Sequence, residues 1–240
     1  MRKIFLIAGI AAICLMLSGC GENNPEPEPP ELPNVGEGLE FAGIEWQVLY
    51  TQDNYVLLLS TYVLGQRRFH GTSRAVSWEA SAIRYYLNND FLRNFSEDEL
   101  AIIIAKEVIN NENPWHGTDG GEPTVDKVFL LSIEEMIKYF GDSGQLADRR
   151  HPSNTATSVY DIYDELRLAY DLETGFEWWY WLRTVGETTN RAAFIGACGR
   201  IGIRGVDVTN EGGVRPALWI DFFMLYDLRS SDCAVYYFFE

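Results

Sequence analysis

The sequence predicts an α+β domain, and two observations support this fold class. Segments with the alternation or continuous apolar character of β-strands are interspersed with segments of helical periodicity, without a regular βαβ rhythm. The pattern Ser-x-x-Glu at Ser96 and at Ser132 has the form of a capping box at the start of a helix. With 47% hydrophobic and 14% aromatic residues, the chain can form a substantial core.

The first 19 residues have the three parts of a secretory signal. Arg2 and Lys3 are positive, residues 4–17 are almost wholly apolar, and Leu-Ser-Gly-Cys follows, ending at Cys20. The apolar run is shorter than the ~20 residues that span a bilayer. Leu-Ser-Gly-Cys resembles the bacterial lipobox, which implies cleavage before Cys20 and fatty acylation of Cys20. We therefore expect a lipoprotein anchored at the extracytoplasmic face of the bacterial cell membrane, with ordinary secretion as the alternative.

A tether is predicted after the lipidated cysteine, over residues 20–38. The stretch contains five prolines among interleaved acidic residues, which favours an extended polyproline II spacer at ~3.1 Å per residue. A proline-rich ligand motif is the alternative. The remaining residues, 39–240, suit one domain.

The first half of this domain is predicted to open with strands. Residues 39–50 alternate around Gly43 as a hairpin does, and residues 55–64 form a continuous apolar run typical of a central strand. Residues 78–95 have helical spacing, with Ser77 as the expected cap. The Ser96 capping box predicts a short helical turn. Residues 101–109 fit a helix or a strand equally.

The middle of the domain is predicted to alternate loops with short elements. Residues 110–124 and 141–154 are loops, because they are rich in Asn, Gly and other polar residues. A strand over 126–131 is followed by a helix from the Ser132 box to Phe140. Residues 159–172 have helical periodicity in tyrosine and leucine.

The C-terminal third is predicted to close the fold with strands. Residues 178–185 are an aromatic strand, and residues 192–203, 205–209 and 214–223 are further strands separated by glycine turns.

The net charge narrows the classes of partner. The chain has 35 acidic and 19 basic residues, a formal net charge of −16. Such a surface repels the phosphates of nucleic acids and of anionic lipids. We therefore expect no nucleic-acid partner, and contact with the membrane only through the lipid anchor.

Two cysteines belong to the predicted domain, Cys198 and Cys233. They can form one disulfide outside the cytoplasm or remain free thiols. The absence of a dense cysteine framework favours free thiols.

Five stretches share their order and spacing with one known pattern. They are Gly43–Leu49, Trp78-Glu79 with Leu87–Leu92, Asp126–Glu135, Trp179–Thr184 and Gly213–Ile220. Together, over roughly residues 39–221, they resemble the bacterial family called domain of unknown function 6273, whose members are often exported or lipid-anchored. That pattern is similar in turn to the C-type lectin-like fold of the formylglycine-generating enzyme. The resemblance implies small, twisted, mostly antiparallel sheets flanked by two or three helices.

Candidate ligand-binding residues lie in two of these stretches. Trp179 and Trp181 share one face of a strand and can stack on a sugar or another ring. Arg183 and Arg215 can form a clamp for an anionic ligand. For all four residues the alternative is structural, with the tryptophans in the core and the arginines in buried pairs.

No motif in the sequence predicts catalysis, a metal or a cofactor. The Glu-Pro-Asn, Gln-Pro-Asp and Trp-Asn-Asp motifs of calcium-dependent lectins are missing from the domain, and Cys198 lacks the paired-cysteine pattern of formylglycine-generating enzymes. The sequence therefore favours a non-enzymatic module that binds a glycan or protein ligand. The alternatives are an exported enzyme of the formylglycine-generating or oxidoreductase type using Cys198, and a structural component of an envelope complex.

Overall fold

A computed structural model of the chain describes residues 30–148 and 157–235, with the side chains of 147–148 and 231–235 left out. The fold is α+β, as predicted. Its helices within these ranges are α1 (Ala82–Asn88), α2 (Glu97–Ile102), α3 (Ile133–Phe140) and α4 (Phe222–Val235). Its strands are β1 (Gly38–Phe41), β2 (Ile44–Gln52), β3 (Tyr55–Ser60), β4 (Gln66–Arg68), β5 (Ile103–Ile104), β6 (Lys106–Val108), β7 (Thr124–Asp126), β8 (Val128–Phe129), β9 (Tyr180–Val185), β10 (Arg191–Ile195), β11 (Ile201–Asp207), β12 (Glu211–Gly213) and β13 (Ala217–Asp221).

The first sheet is built around the predicted hairpin and central strand. Its order is β1-β2-β3-β13-β5, with β8 also pairing with β13, and its pairs are antiparallel. Ala42 and Gly43, with φ of 54° and 68°, form the tight turn between β1 and β2. The C-terminal strand β13 lies in the middle of this sheet, so the two ends of the domain are joined there.

The second sheet has the order β11-β10-β9-β12-β4. Its aromatic strand β9 pairs antiparallel with β10 and parallel with β12. Gly212 of β12 lies so close to β9 that a Cβ atom there would be 2.5 Å from the Trp179 ring and 2.6 Å from the Trp181 Nε1. Glycine is therefore required where these two strands meet.

Both predicted capping boxes are present. At α3, the Ser132 hydroxyl accepts from the Glu135 amide at 3.1 Å, and the Glu135 carboxylate accepts from the Ser132 amide at 2.8 Å. Ser96 and Glu99 form the same arrangement at α2. Residues 101–109, which fit either class, are divided between the end of α2 and strands β5 and β6.

The predicted helix over 78–95 is wrong in its extent and its cap. Trp78 is fully buried, and its Nε1 donates to Asp126 at 2.9 Å, so the chain makes a turn there before the helix begins. The cap is Ser81, whose hydroxyl accepts from the Arg84 amide at 3.2 Å, and not Ser77. A separate 3-10 turn follows at Phe91–Asn94.

The helical periodicity of residues 159–172 also gave a wrong prediction. The stretch contains only a 3-10 turn, Asp164–Arg167. Val159 pairs with Ile201, and the fully buried Arg167 lies 3.0 Å from Asp161 and 3.2 Å from Asp164. The pairing with a distant strand and the ion pairs of the buried Arg167 guanidinium hold this backbone in a non-helical conformation. The local periodicity does not indicate that conformation.

Two strand predictions near the C-terminus are corrected in their bounds. Residues 192–203 are not one strand, because β10 and β11 are joined by a turn that contains Cys198 and Gly199. The strand expected over 214–223 ends at Asp221, whose carboxylate accepts from the Phe223 and Met224 amides at 3.0 and 3.2 Å. Asp221 thereby starts α4, a fourth helix where two or three were expected.

Candidate functional site

The tryptophan pair of the aromatic strand lies largely inside the protein. The rings of Trp179 and Trp181 are 4.9 Å apart between centroids, so they share a face as predicted. Trp181 is fully buried, and its Nε1 donates to the Arg67 carbonyl at 2.8 Å. Trp179 is half-buried and also packs against Phe194 at 5.5 Å. Only Trp179 of the two presents ring surface to solvent, and a role for either in ligand binding stays a prediction.

Arg183 forms a buried ion pair with Glu135. Its side chain is 4% exposed, and Nη2 donates to Glu135 Oε1 at 3.0 Å while Nη1 donates to Oε2. The same two nitrogens donate to the carbonyls of Leu130 at 2.8 Å and of Ile109 at 3.1 Å. Because Glu135 also closes the capping box of α3, Arg183 ties β9 to the start of that helix. A ligand-binding role for Arg183 stays a prediction.

Arg215 has hydrogen-bond partners different from those of Arg183. Its side chain is buried, Nε donates to the Ser60 carbonyl at 2.9 Å, and Nη1 donates to the Tyr180 hydroxyl at 3.0 Å. Tyr180 in turn donates to the Arg167 carbonyl at 2.7 Å. Burial raises the pKa of Tyr180, with the charge of Arg215 acting in the opposite direction. These contacts tie β3 to β9. A clamp made of both arginines is also still a prediction.

Cys198 is an exposed free thiol in the turn between β10 and β11. Arg200, its basic neighbour in sequence, has its guanidinium 4.5 Å from the Tyr160 ring centroid and 3.9 Å from the Asp164 carboxylate. The side chain of Cys233 lies outside the described residues. Cys198 is therefore accessible to reagents, with its basic neighbour engaged in other contacts.

The first sheet carries a group of partly exposed aromatic rings on one of its faces. Tyr50, Leu57 and Trp219 are cross-strand neighbours of β2, β3 and β13, so their side chains share that face. The Tyr50 ring is 6.2 Å from that of Trp219 and 6.4 Å from that of Tyr139 on α3. We call Tyr50, Tyr55, Tyr139 and Trp219 the aromatic surface.

Two lysines lie over the aromatic surface. Lys106 Nζ is 4.5 Å from the Tyr55 ring centroid and 5.4 Å from that of Trp219. Lys138 Nζ is 5.1 Å from Tyr50 and 4.9 Å from Tyr139. Such cation–π contacts hold the ammonium groups in place. Partial burial raises the pKa of Tyr139, and Lys138 acts in the opposite direction.

A small cleft opens beside Trp219. It has a volume of about 180 Å³. Its lining includes Lys106, Asn111, Phe129, Glu134, Arg183 and Trp219. Aromatic side chains supply the apolar part of this wall, while lysine, amide and carboxylate groups supply donors and acceptors. We call it the Trp219 cleft. Ligand sites commonly combine an apolar wall with a few polar groups in this way.

The sequence prediction missed this site apart from Arg183. Trp219 lies in one of the family-like stretches, but no motif marks it as a ligand-binding residue. The alternation of β13 was the available signal: Leu218 and Ile220 are fully buried, so Trp219 between them had to face the other side. Lys106 and Tyr50 carry no comparable signal, because only the folded sheet brings them to Trp219.

Metal-binding clusters and membrane-spanning helices are both missing from the described part of the chain. Within residues 30–148 and 157–235, no group of three or more His, Cys, Asp or Glu side chains is arranged to hold a metal ion. In those ranges, no helix combines the length and the apolar character needed to cross a bilayer.

Comparison with known proteins gives one match. A family model described as "Domain of unknown function (DUF6273)" matches residues 53–222. No curated protein and no solved structure matches the chain. The matched range includes Trp219, Lys106, Arg183 and the whole Trp219 cleft, but not Tyr50.

Proposed function

The chain belongs to the DUF6273 family, whose name assigns no activity, and we propose from its own residues that it is a membrane-anchored bacterial surface lipoprotein whose domain binds a glycan. The proposal has two parts, the anchor and the binding site. The observation that carries the second part is the aromatic surface beside the Trp219 cleft.

The N-terminal sequence supports the anchor. Acyl chains on Cys20 contribute ~0.8 kcal/mol per buried methylene, so two or three chains hold a protein stably on a membrane. The proline-rich tether then separates the acidic domain from the anionic lipid surface, which repels it. Residues 1–29, which include the signal and the first part of the tether, lie outside the described residues; residues 30–38 of the tether are described, and the Gly36 amide donates to the Val48 carbonyl of β2 at 2.8 Å.

Replacing Cys20 with serine is expected to release the protein from the membrane. The variant lacks the thiol that would receive the diacylglycerol, so labelled palmitate should not be incorporated, and the chain should leave the membrane fraction. Cys14→Ser is the matched control, because it removes a thiol six positions earlier in the predicted signal and should keep both label and fractionation. Equal labelling of the two variants would contradict the lipid anchor at Cys20.

The geometry of the aromatic surface supports a sugar as the ligand. A pyranose ring has apolar C–H faces that pack on aromatic rings, and hydroxyls around its edge that need hydrogen-bonding partners. The aromatic surface offers rings, and Lys106, Asn111 and Glu134 place donors and acceptors at the cleft next to them. The cleft is smaller than the roughly 300–1,000 Å³ pockets that enclose drug-sized ligands. It therefore suits one small substituent of a glycan whose rings lie on the surface outside.

Replacing Trp219 with alanine is expected to weaken glycan binding at least about tenfold, because aromatic anchors carry a large share of binding free energy. The measurement is a glycan array and peptidoglycan pull-down with the wild-type chain, followed by calorimetry on each ligand found. Lys106→Met tests the same surface with less change to packing. Tyr85→Ala, which removes a ring that is 65% exposed on α1, is the matched control.

Two results would overturn the glycan proposal. One is the absence of any glycan ligand for the wild-type chain. The other is binding that Trp219→Ala, Lys106→Met and Tyr85→Ala leave equally strong. If a protein ligand were found and lost affinity in the first two variants, the binding site would lie where we propose. Its ligand would then be a protein and not a glycan.

A further inference from the structure

A second cleft lies on a different part of the domain, against the β1–β2 hairpin. It has a volume of about 400 Å³. It is lined by Glu40, Gly43, Ile44, Glu45, Tyr62, Leu64 and Leu172. We call it the hairpin cleft. It shares no residue with the Trp219 cleft or with the aromatic surface, so a partner bound in the hairpin cleft is independent of the glycan proposal.

The apolar wall of the hairpin cleft is produced by a short parallel pairing. The Val63 amide donates to the Tyr170 carbonyl at 2.9 Å, and the Leu172 amide donates to the Val63 carbonyl at 3.0 Å. Val63 is fully buried. Since neighbouring side chains of extended backbone point to opposite faces, Tyr62 and Leu64 face outward. On the paired segment, Leu172 is 57% exposed.

The turn that presents Leu172 is held in place. The Asp171 carboxylate accepts from the Thr174 amide and hydroxyl, both at 2.9 Å, and the Gly175 amide donates to the Asp171 carbonyl at 2.8 Å. The hydrogen bonds from Thr174 keep the pKa of Asp171 below its ordinary value, so the carboxylate stays charged and bonded. Phe176, at the end of this turn, is 73% exposed. Large apolar side chains that a fixed turn holds in water are typical of interaction sites.

The rim of the hairpin cleft carries two glutamates whose like charges repel each other. Glu40 and Glu45 are directly opposite each other across the β1–β2 pair, where like charges destabilise a hairpin. Among the described residues, no ion pair joins either carboxylate to a basic side chain, and the nearby Arg229 donates to the Glu40 carbonyl instead. Glu173, in the turn that presents Leu172, is a further exposed acid.

We propose that the hairpin cleft docks a protein segment that carries basic side chains beside apolar ones. The apolar part packs on Ile44, Tyr62 and Leu172, and the basic part neutralises the opposed carboxylates of the rim. Charge complementarity favours a basic segment over the other partners that could occupy the hairpin cleft. A second copy of this chain has a net charge of −16 and would add repulsion, and an anionic lipid surface would do the same.

The test uses the full chain in phosphatidylcholine nanodiscs and a labelled hexapeptide of alternating lysine and leucine, with anisotropy as the measurement. The variants Glu40→Gln/Glu45→Gln and Leu172→Ser are each expected to weaken binding about tenfold. Salt should weaken the wild-type complex more than that of the glutamine variant. Glu79→Gln/Glu122→Gln, which removes two exposed carboxylates elsewhere, should bind as the wild type does.

A stability measurement separates loss of binding from loss of fold. Removing the opposed charges of Glu40 and Glu45 should raise the midpoint of thermal unfolding by about 1–3 °C while binding falls. The proposal is overturned if the two glutamine double variants bind equally well, or if a glutamate–leucine hexapeptide binds as tightly as the lysine one. A dimer of the wild-type chain that Leu172→Ser dissociates would also overturn it, because the occupant would then be a second copy.

Discussion

Replacing Arg183 with leucine is expected to lower the free energy of unfolding by about 3 kcal/mol, because it removes one partner of a buried ion pair. Four interactions are lost together: two with the Glu135 carboxylate and one each with the carbonyls of Leu130 and Ile109. The carboxylate keeps its charge but is only 26% exposed, so water cannot fully replace the guanidinium. Urea denaturation of the variant and the wild type measures the difference.

A double variant separates the effect of the unpaired Glu135 charge from the effect of the lost hydrogen bonds. Glutamine at position 135 can still close the capping box of α3, because glutamine serves there as glutamate does. Arg183→Leu/Glu135→Gln should therefore recover about 1 kcal/mol relative to Arg183→Leu, since no unpaired charge remains. Arg68→Leu is the matched control: its ion pair with Glu211 is 3.7 Å long and largely exposed, and its loss should change stability by less than about 0.5 kcal/mol. An effect of Arg183→Leu no larger than that of Arg68→Leu would contradict the structural role.

The elements that were predicted correctly are those that their own residues determine. The capping box at Ser132 needs only the hydroxyl of one residue and the carboxylate three positions later, and both are visible in the sequence. The β1–β2 hairpin likewise depends on a local turn at Gly43. In both cases the interaction that fixes the element joins residues within a few positions.

The stretch 159–172 shows why other predictions failed. Its tyrosines and leucines recur at helical spacing, yet Tyr160, Leu166 and Leu172 are 63%, 59% and 57% exposed. The backbone is fixed instead by pairing with Ile201 and Val63, which lie tens of residues away, and by the buried charge of Arg167. Periodicity measures only the local preference, and it cannot include contacts of this range.

The candidate site follows the same rule. The aromatic surface takes Tyr50, Tyr55, Tyr139 and Trp219 from four separate elements. Of the lysines over it, Lys106 comes from a fifth element, β6, and Lys138 lies beside Tyr139 on α3. None of these residues forms a motif with its neighbours in sequence. The residues that the sequence does mark as candidates include Trp181 and Arg215. Both are buried, and both donate hydrogen bonds to backbone carbonyls of other strands.

Asn113 is a position whose importance only the structure reveals, and its replacement by aspartate is expected to have the largest effect on stability. Its fully buried side chain makes four hydrogen bonds. The amide nitrogen donates to the carbonyls of Val185 at 2.7 Å and Ile203 at 2.9 Å, and the amide oxygen accepts from the Trp115 and His116 amides at 2.9 and 3.0 Å. Asn113 thereby joins the loop after β6 to strands β9 and β11.

Aspartate has nearly the same shape, but it presents a carboxylate oxygen where the two strand carbonyls need a donor. The expected loss is about 4 kcal/mol at neutral pH, since a buried charge then faces two carbonyl oxygens without compensation. Burial and those carbonyls raise the pKa of the new carboxyl above its unfolded value of about 3.9, although the Trp115 and His116 amides oppose this. Because the folded state then binds the proton more tightly, the loss should be complete above the folded pKa and should shrink as the pH falls toward 4.

Urea denaturation at pH 8 and at pH 5 tests this expectation, with Asn210→Asp as the matched control at an exposed position. Asn113→Ala should cost about 2–3 kcal/mol at both pH values, because it removes the same hydrogen bonds without adding a titratable group. The pH dependence is therefore the decisive measurement. If Asn113→Asp were destabilised equally at both pH values, the buried charge would not be the cause. If it were as stable as Asn210→Asp, the four hydrogen bonds of Asn113 would not join the loop to the two strands in solution.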